Sequence, residues 1–292
     1  MSPIDSLRRA YAEKICADVR LDALREAFAT VPRERFLGAG PWKIVPGPGH
    51  WPSGQMSSAS TGYRETPDAR IEHLYQDVLV AIDPARQLNN GQPSAHALWI
   101  DAAAPRPGEA VLHIGCGTGY FTAIFAELVG GTGQVEALEV DESLAARARD
   151  CLAPWPQVRV EAGDASKIIG IYDVIYVNAG ATHARTEWLA ALAPGGRLLL
   201  PLTVQVPKIR SAHSVHGAGI FIRAERVGTR WPTRIVSSVS IFDCVGARDE
   251  GAEAQLRKLL SSAGAAAIHT LSIEPHAQGE GCLVHVEGFC LQ

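Results

Sequence analysis

From Ser6 to Thr30 the apolar positions recur at helical spacing: Leu7, Ala10, Tyr11 and Ile15, then Leu21, Leu24, Ala27 and Phe28. The pattern predicts two helices, the second stopped by Pro32. Gly38 to Arg70 holds no period; Pro41, Pro46, Pro48, Pro52 and Pro67 among six glycines predict a loop. Loops this long inside a domain are usually functional or disordered. The aromatics Trp42, Trp51 and Tyr63, with His50, favour a lid packed over a site. Pro93 to Ala103 reads as a helix. Between Gly108 and Thr203, short apolar runs alternate with helical stretches: Val111–Ile114, Gln134–Leu138, Val158–Glu161, Tyr172–Gly180 and Arg197–Pro201. That alternation predicts a parallel sheet with helices on both faces. Beyond it, Gly219–Val227 and Arg234–Val245 read as strands on an antiparallel edge. Ala252–Ser262 is an amphipathic helix with Leu256, Leu259 and Leu260 on one face, followed by strands at His269–Ile273 and Leu283–Cys290.

The first of the central strands runs into Gly115, Gly117 and Gly119. A dinucleotide fingerprint needs its third glycine at the sixth position, which here is Tyr120. Tyr120 and Phe121 fill the helix turn that a pyrophosphate would need open. The GxGxG spacing suits a nucleoside ligand without phosphate, and S-adenosylmethionine meets that description; the bland alternative is a tight strand–helix turn that binds nothing. Glu139 ends the second strand where a carboxylate can accept both ribose hydroxyls, with Val140 beside it. Asp164, between Gly163 and Ala165, can accept from an adenine amino group. Asn178 closes the fourth strand at the carboxyl edge, where ligands of open parallel sheets bind.

Composition narrows the classes. A hydrophobic fraction of 47% supplies a full core, and a net charge of −4 gives no global reason to bind nucleic acid. No apolar run reaches membrane-spanning length, and Met1 to Arg9 carries early charges without an apolar signal core, which predicts a cytoplasmic protein. Cys16, Cys116, Cys151, Cys244, Cys282 and Cys290 form no CxxC pair and no evident metal-ligand spacing with histidine, so no metal is expected.

Several segments together resemble the protein-L-isoaspartate O-methyltransferase family. Val31-Pro32-Arg33-Glu34-Arg35-Phe36 is similar to its VPRExF signature, Tyr75-Gln76-Asp77-Val78-Leu79 to its YxDxxL segment, and Gln92-Pro93-Ser94 to its QP(S) helix start. Ile114 to Tyr120 resembles its IGxGxGY loop and Pro194 to Leu198 its PGGRL, so that the likeness covers residues 20–203. The resemblance implies a Rossmann-like S-adenosylmethionine methyltransferase of class α/β. Residues 1–104 would form N-terminal helices and a substrate-side insertion, 105–203 the cofactor-binding core, and 204–292 a β-rich extension that completes the sheet or makes an oligomer contact. His113, Gly115, Cys116, Gly117, Thr118, Gly119 and Tyr120 would carry the methionine end of the cofactor. Glu139 and Val140, then Gly163, Asp164 and Ala165, and finally Asn178, would carry the rest.

Three departures stand out. Where the family has a TIS triplet whose serine lies beside the substrate carboxylate, this chain has Asn89-Asn90-Gly91. His113 replaces the acidic residue that faces the cofactor's ammonium. The insertion at 38–72 and the tail at 204–292 exceed the family's length. On the acceptor side, Asp77, Asn90, Gly91 and His183 are the candidates, with His50, Tyr63 and His96 as further possible bases. The first expectation is methylation of a protein or peptide carboxylate. The alternatives are O- or N-methylation of a small molecule, favoured by the missing serine, and a cofactor-binding scaffold without turnover.

Overall fold

The computed structural model describes residues 2–46, 62–206, 216–279 and 281–292. Two amphipathic helices open the chain, α1 (Pro3–Ile15) and α2 (Asp22–Thr30). Ser2 begins α1 with a reciprocal capping box to Asp5, which satisfies N–H groups that the helix start leaves free. Residues 38–70 are not all loop. Trp42 and Ile44 are buried against Leu74, Val78 and Val80. Their strand, β1 (Lys43–Pro46), lies between β2 (Arg64–Glu65) and β3 (Val78–Asp83), with β4 (Leu88–Asn89) beyond. The alternation in β1 is too short to stand out from its proline-rich surroundings. Of the predicted lid, His50 and Trp51 lie outside the described residues. Trp42 packs inward, and the Tyr63 hydroxyl donates to the Gln87 carbonyl at 2.9 Å.

Helix α3 (Pro93–Ala103) leads to the main sheet, as predicted. Its strands are β5 (Ala110–Ile114), β6 (Gln134–Glu139), β7 (Val158–Ala162), β8 (Tyr172–Val177) and β9 (Leu192–Gln205). They run parallel in the order β7-β6-β5-β8-β9, and α4 (Tyr120–Val129), α5 (Glu142–Leu152) and α6 (Thr186–Ala191) make the connections. The order reverses between β5 and β8, and the crevice outside that point is where such sheets take ligands. The sheet continues antiparallel through β10 (His216–Glu225), β11 (Arg230–Phe242), β12 (Thr270–Ser272), β14 (Phe289–Leu291) and β13 (Val284–Val286). The segment read as one strand at 283–290 is a hairpin instead, because Glu287 and Gly288 form a two-residue turn that folds β14 back on β13. Helix α7 (Glu250–Ser261) covers the second face.

Period-two alternation divides the core. Val111, Val135, Val174, Tyr176 and Phe221 face one cluster, built with α1 to α5; Leu112, Ile114, Ile175, Leu198 and Ile222 face the other, built with α6 and α7. Among the described residues no helix is long and apolar enough to cross a membrane.

Candidate active site

The motifs that carry the resemblance prove to be a chain of contacts leading to the sheet edge. Arg33 is fully buried, and its guanidinium donates to the carbonyls of Leu74, Gln76 (2.9 Å) and Val78 (2.7 Å). Tyr75 donates to the Glu34 carboxylate and accepts from Arg8 at 2.9 Å. Two residues on, Asp77 accepts from the Ser94 backbone N–H (2.9 Å), the Ser94 hydroxyl (2.7 Å) and the Gln92 amide (2.9 Å). Helix α3 has no side-chain cap of its own, so Asp77 satisfies a free N–H of its first turn. At the other end of α3, Arg197 donates to the Ala103 and Ala104 carbonyls and pairs with Glu109.

A cavity of about 670 Å³ opens at the carboxyl ends of β5, β6 and β8. Of the predicted cofactor residues, Gly115, Cys116, Gly117, Thr118, Tyr120, Glu139, Val140, Gly163, Asp164 and Asn178 line it. The Glu139 carboxylate is buried; one oxygen accepts from the Gly117 N–H at 2.7 Å and the other from the Asp141 N–H at 3.1 Å. Burial raises its pKa above the ordinary carboxylate value, partly offset by those backbone donors. The Asn178 amide donates to the Gly115 carbonyl at 3.1 Å and joins β8 to the glycine loop. Asp164 accepts from the Ser166 hydroxyl and N–H, which hold its pKa below the usual value. Val140 and Val245 both line the cavity and remain about half exposed (51% and 54%), an apolar surface open to a flat ring.

Three predicted cofactor residues do not line the cavity. His113 is fully buried, with Nδ1 on the Thr122 hydroxyl at 2.9 Å and the ring edge-on to Phe125 and Tyr176. The alternation of β5 points it into the helical face of the core, where burial lowers its pKa to about 3 and keeps it neutral. Gly119 precedes α4 at φ +95°, a backbone conformation that favours glycine, and a Cβ there would also meet the Leu152 side chain at 2.6 Å. Ala165 is buried and its carbonyl accepts from the Trp188 indole at 3.1 Å.

The acceptor side divides in the same way. Asn90 and Gly91 line the cavity; Asp77 and His183 do not. His183 bonds the Thr182 hydroxyl at 3.0 Å and packs edge-on to Phe289 on the far face, where burial lowers its pKa. Asn90 accepts from the Val80 N–H at 3.0 Å, while its Nδ2 is buried without a hydrogen-bond partner among the described residues. His96 fills the wall beside Gly91. Its ring stacks on Phe121 at 3.6 Å, Nδ1 bonds the Tyr176 hydroxyl at 2.8 Å, and burial drives its pKa well below the ordinary value. A Cβ on Gly91 would lie 2.2 Å from His96 Nε2. An imidazole therefore occupies the space into which a serine at this position would project.

Sequence reasoning missed two walls. Ser238, Ser240 and Asp243, from β11 and the turn after it, line the cavity, as do Leu79, Ile82 and Arg86 of the small sheet. No local signal marks them, since both segments come to the site only by strand pairing. The fold also gathers His276, Cys282, His285 and Cys290, for which no metal role was expected.

The family model for protein-L-isoaspartate(D-aspartate) O-methyltransferase matches residues 66–217. A protein-L-isoaspartate O-methyltransferase of Pelotomaculum thermopropionicum is 33% identical over 200 residues, 67% of this chain and 72% of that protein. One of Ignicoccus hospitalis is 35% identical over 45% of this chain, and one of Cupriavidus necator 33% identical over 48%. The chain spans 64% and 54% of those two relatives' length. A solved protein-L-isoaspartate O-methyltransferase superposes with a TM-score of 0.62 at 21% identity, over 86% of this chain and 70% of that one. A Plasmodium falciparum structure described as a complex with S-adenosyl-L-homocysteine gives 0.57 at 14% identity, over 81% and 97%. These two likenesses establish a common fold.

Proposed function

The chain belongs to the protein-L-isoaspartate(D-aspartate) O-methyltransferase family, and from that premise we propose that it transfers a methyl group from S-adenosylmethionine to a carboxylate of a protein or peptide. The observation that carries the reading is Glu139. Its carboxylate sits in the cavity wall at the end of β6, tied to the glycine loop through the Gly117 N–H, with lone pairs left for ribose hydroxyls. The rest of the cavity fits the same molecule. Val140 offers an apolar face to the base, Asp164 an acceptor to its amino group, and Gly115 to Thr118 a close backbone approach to the methionine arm.

The bound donor supplies an electrophilic methyl group on a sulfonium. The protein's task is to hold an acceptor in line with it and to exclude water. A carboxylate acceptor arrives ionised and needs no general base. The site agrees with that requirement. His96 is held neutral with Nδ1 engaged, and Asp77 and His183 lie outside the walls. Asn90 lines the acceptor side of the cavity, and its amide Nδ2, without a partner among the described residues, is a donor that a small side-chain rotation would offer to an acceptor oxygen. Methylation of a small molecule is the second reading, favoured by the way His96 and Trp99 narrow the side on which the family's serine would stand. The reading places the enzyme in the cytoplasm, in keeping with six cysteines that are all free. The C-terminal strands already serve to build the sheet and one cavity wall, so no oligomer contact is required of them.

The test is transfer of labelled methyl from S-adenosylmethionine to an isoaspartyl peptide, beside its aspartyl twin. Label confined to the isoaspartyl peptide and released as methanol in mild alkali is expected. Absence of transfer in a preparation that binds the donor would refute the carboxylate reading and direct the search to small acceptors. Loss of donor binding in Glu139→Ala, with the fold intact, is the matching check on the cofactor assignment.

A further inference from the structure

A second group of chemically matched side chains lies away from the cavity, at the far edge of the main sheet. His285 of β13 and Cys290 of β14 are directly opposed across the antiparallel hairpin, so both project on the same face. Cys282 comes three residues before His285, and His276 reaches in from the segment after β12. The donor atoms of all four lie within 4.8 Å of one another. Cys282 Sγ is already 3.5 Å from His276 Nε2. None of the four lines the cavity.

Three details point to a ligand at the centre of this group. His285 Nδ1 is buried without a hydrogen-bond partner among the described residues, an arrangement that native structures rarely leave unexplained. His276 Nδ1 is 2.7 Å from the Glu274 carbonyl. A carbonyl can only accept, so Nδ1 carries the proton and the lone pair of Nε2 is turned toward Cys282. This backbone bond is the outer contact that metal-ligating histidines characteristically make. The Gly279 N–H donates to Cys282 Sγ at 3.5 Å, an interaction that favours a thiolate.

The scaffold beneath the group is fixed from α7. Gln255 accepts from the His285 N–H at 2.9 Å and donates to the His285 carbonyl at 3.1 Å. The Gln278 amide donates to the same Gln255 oxygen at 3.2 Å. One glutamine thereby sets the strand bearing His285 against the loop bearing His276 and Cys282.

We propose that His276, Cys282, His285 and Cys290 form a structural zinc site that fastens the C-terminal hairpin and the residues around His276 and Cys282 to α7. Two thiolates and two imidazoles are a donor set that selects tetrahedral zinc. With zinc–sulfur and zinc–nitrogen bonds of about 2.3 Å and about 2.0–2.1 Å, tetrahedral donors stand about 3.3–3.8 Å apart. The present spread therefore closes with side-chain movements of about an ångström. Four protein ligands leave no position for substrate, so the site holds structure and performs no chemistry. Cys290 is buried and His276 exposed, which puts the ion at the surface end of the hairpin, beneath the solvent-facing loop. The site binds the ion only in the folded chain, because hairpin pairing, the β12–β13 connection and the α7 contact are all needed to assemble it.

The experiment is metal analysis of the full chain purified without chelator and after reconstitution with zinc, together with cobalt(II) as a spectroscopic probe. About one zinc per chain, and the intense visible bands of tetrahedral thiolate-bound cobalt, are expected. Cys282→Ser and His285→Ala should each reduce retained zinc by at least tenfold, while Cys151→Ser should leave it unchanged. Alkylation of the wild type covers the event that a variant fails to fold: Cys282 and Cys290 should be protected until a strong chelator is added. A wild type that retains no zinc after reconstitution, and gives only the weak bands of solvated cobalt, overturns the proposal. A Cys282–Cys290 disulfide in the freshly purified protein overturns it equally.

Discussion

Gly91→Ser restores the residue type that the family resemblance implies, and the structure predicts that the change damages this protein. Gly91 sits at φ +79°, a region that costs a residue with a Cβ about 1–2 kcal/mol. The new Cβ would lie 2.2 Å from His96 Nε2, so the imidazole must move by more than an ångström. That movement breaks its stack on Phe121 and its bond to the Tyr176 hydroxyl. Leaving that hydroxyl buried and unpaired costs a further amount of about 1–3 kcal/mol. The sum is about 2–5 kcal/mol. With a urea slope of about 3 kcal/mol/M, the unfolding midpoint falls by about 1 M. The cause is tested by a double-mutant cycle. His96→Ala is itself destabilising, because it removes the partner of Tyr176, but in that background Gly91→Ser should cost only the backbone term, about 1–2 kcal/mol. The coupling energy is then about 2 kcal/mol, read from urea unfolding of the four proteins. Equal costs of Gly91→Ser in the two backgrounds, within about 0.5 kcal/mol, would refute the claim that His96 and serine compete for one space.

Three other outcomes follow from the contacts described. Because burial raises the Glu139 pKa, its carboxylate takes up a proton earlier on acidification than an ordinary one, and donor affinity should fall at correspondingly higher pH. The same raised pKa means that Glu139 favours the folded state below its unfolded pKa and loses that contribution as pH rises through the folded value. Calorimetric affinities across pH should show the fall in the wild type and a flat, weak profile in Glu139→Gln; identical profiles would dismiss the ribose contact. Arg33→Met removes the buried hydrogen bonds to the carbonyls of Leu74, Gln76 and Val78 and should destabilise by about 3–5 kcal/mol, measured by denaturant unfolding. Asp77→Ala removes the brace at the start of α3 and should cost about 1–2 kcal/mol of stability without altering the pH profile of methyl transfer. A shifted pH profile in a stable Asp77→Ala protein would make it catalytic after all.

The glycine-loop wall of the cavity was legible because it is local. A parallel strand, a glycine turn and a carboxylate at the next strand's end lie within 30 consecutive residues, Ala110 to Glu139, and their sequence order is their spatial order. The two failures within that stretch came from direction. His113 looked like a ligand contact because of where it stands in the motif, yet strand alternation turns it into the helical core. Gly119 answers to its own backbone angle, φ +95°, and to the side chain of Leu152 on another helix.

The wall proposed for the acceptor was not legible, because distant segments build it. Gly91 is explained by His96 and Asn90 by Val80, while β11 reaches the cavity through antiparallel pairing far from the glycine loop in sequence. The cysteines and histidines of the C-terminal hairpin are the same case. Their spacing shows nothing until a turn at Glu287-Gly288 sets His285 opposite Cys290. Apolar periodicity and glycine placement determined the sheet, its helices and the kind of ligand, since these depend on neighbours within a few residues. Which side chains line the other walls of the cavity, and which cysteines and histidines meet at the sheet edge, was decided by strand register and packing, which bring together residues that no local pattern relates.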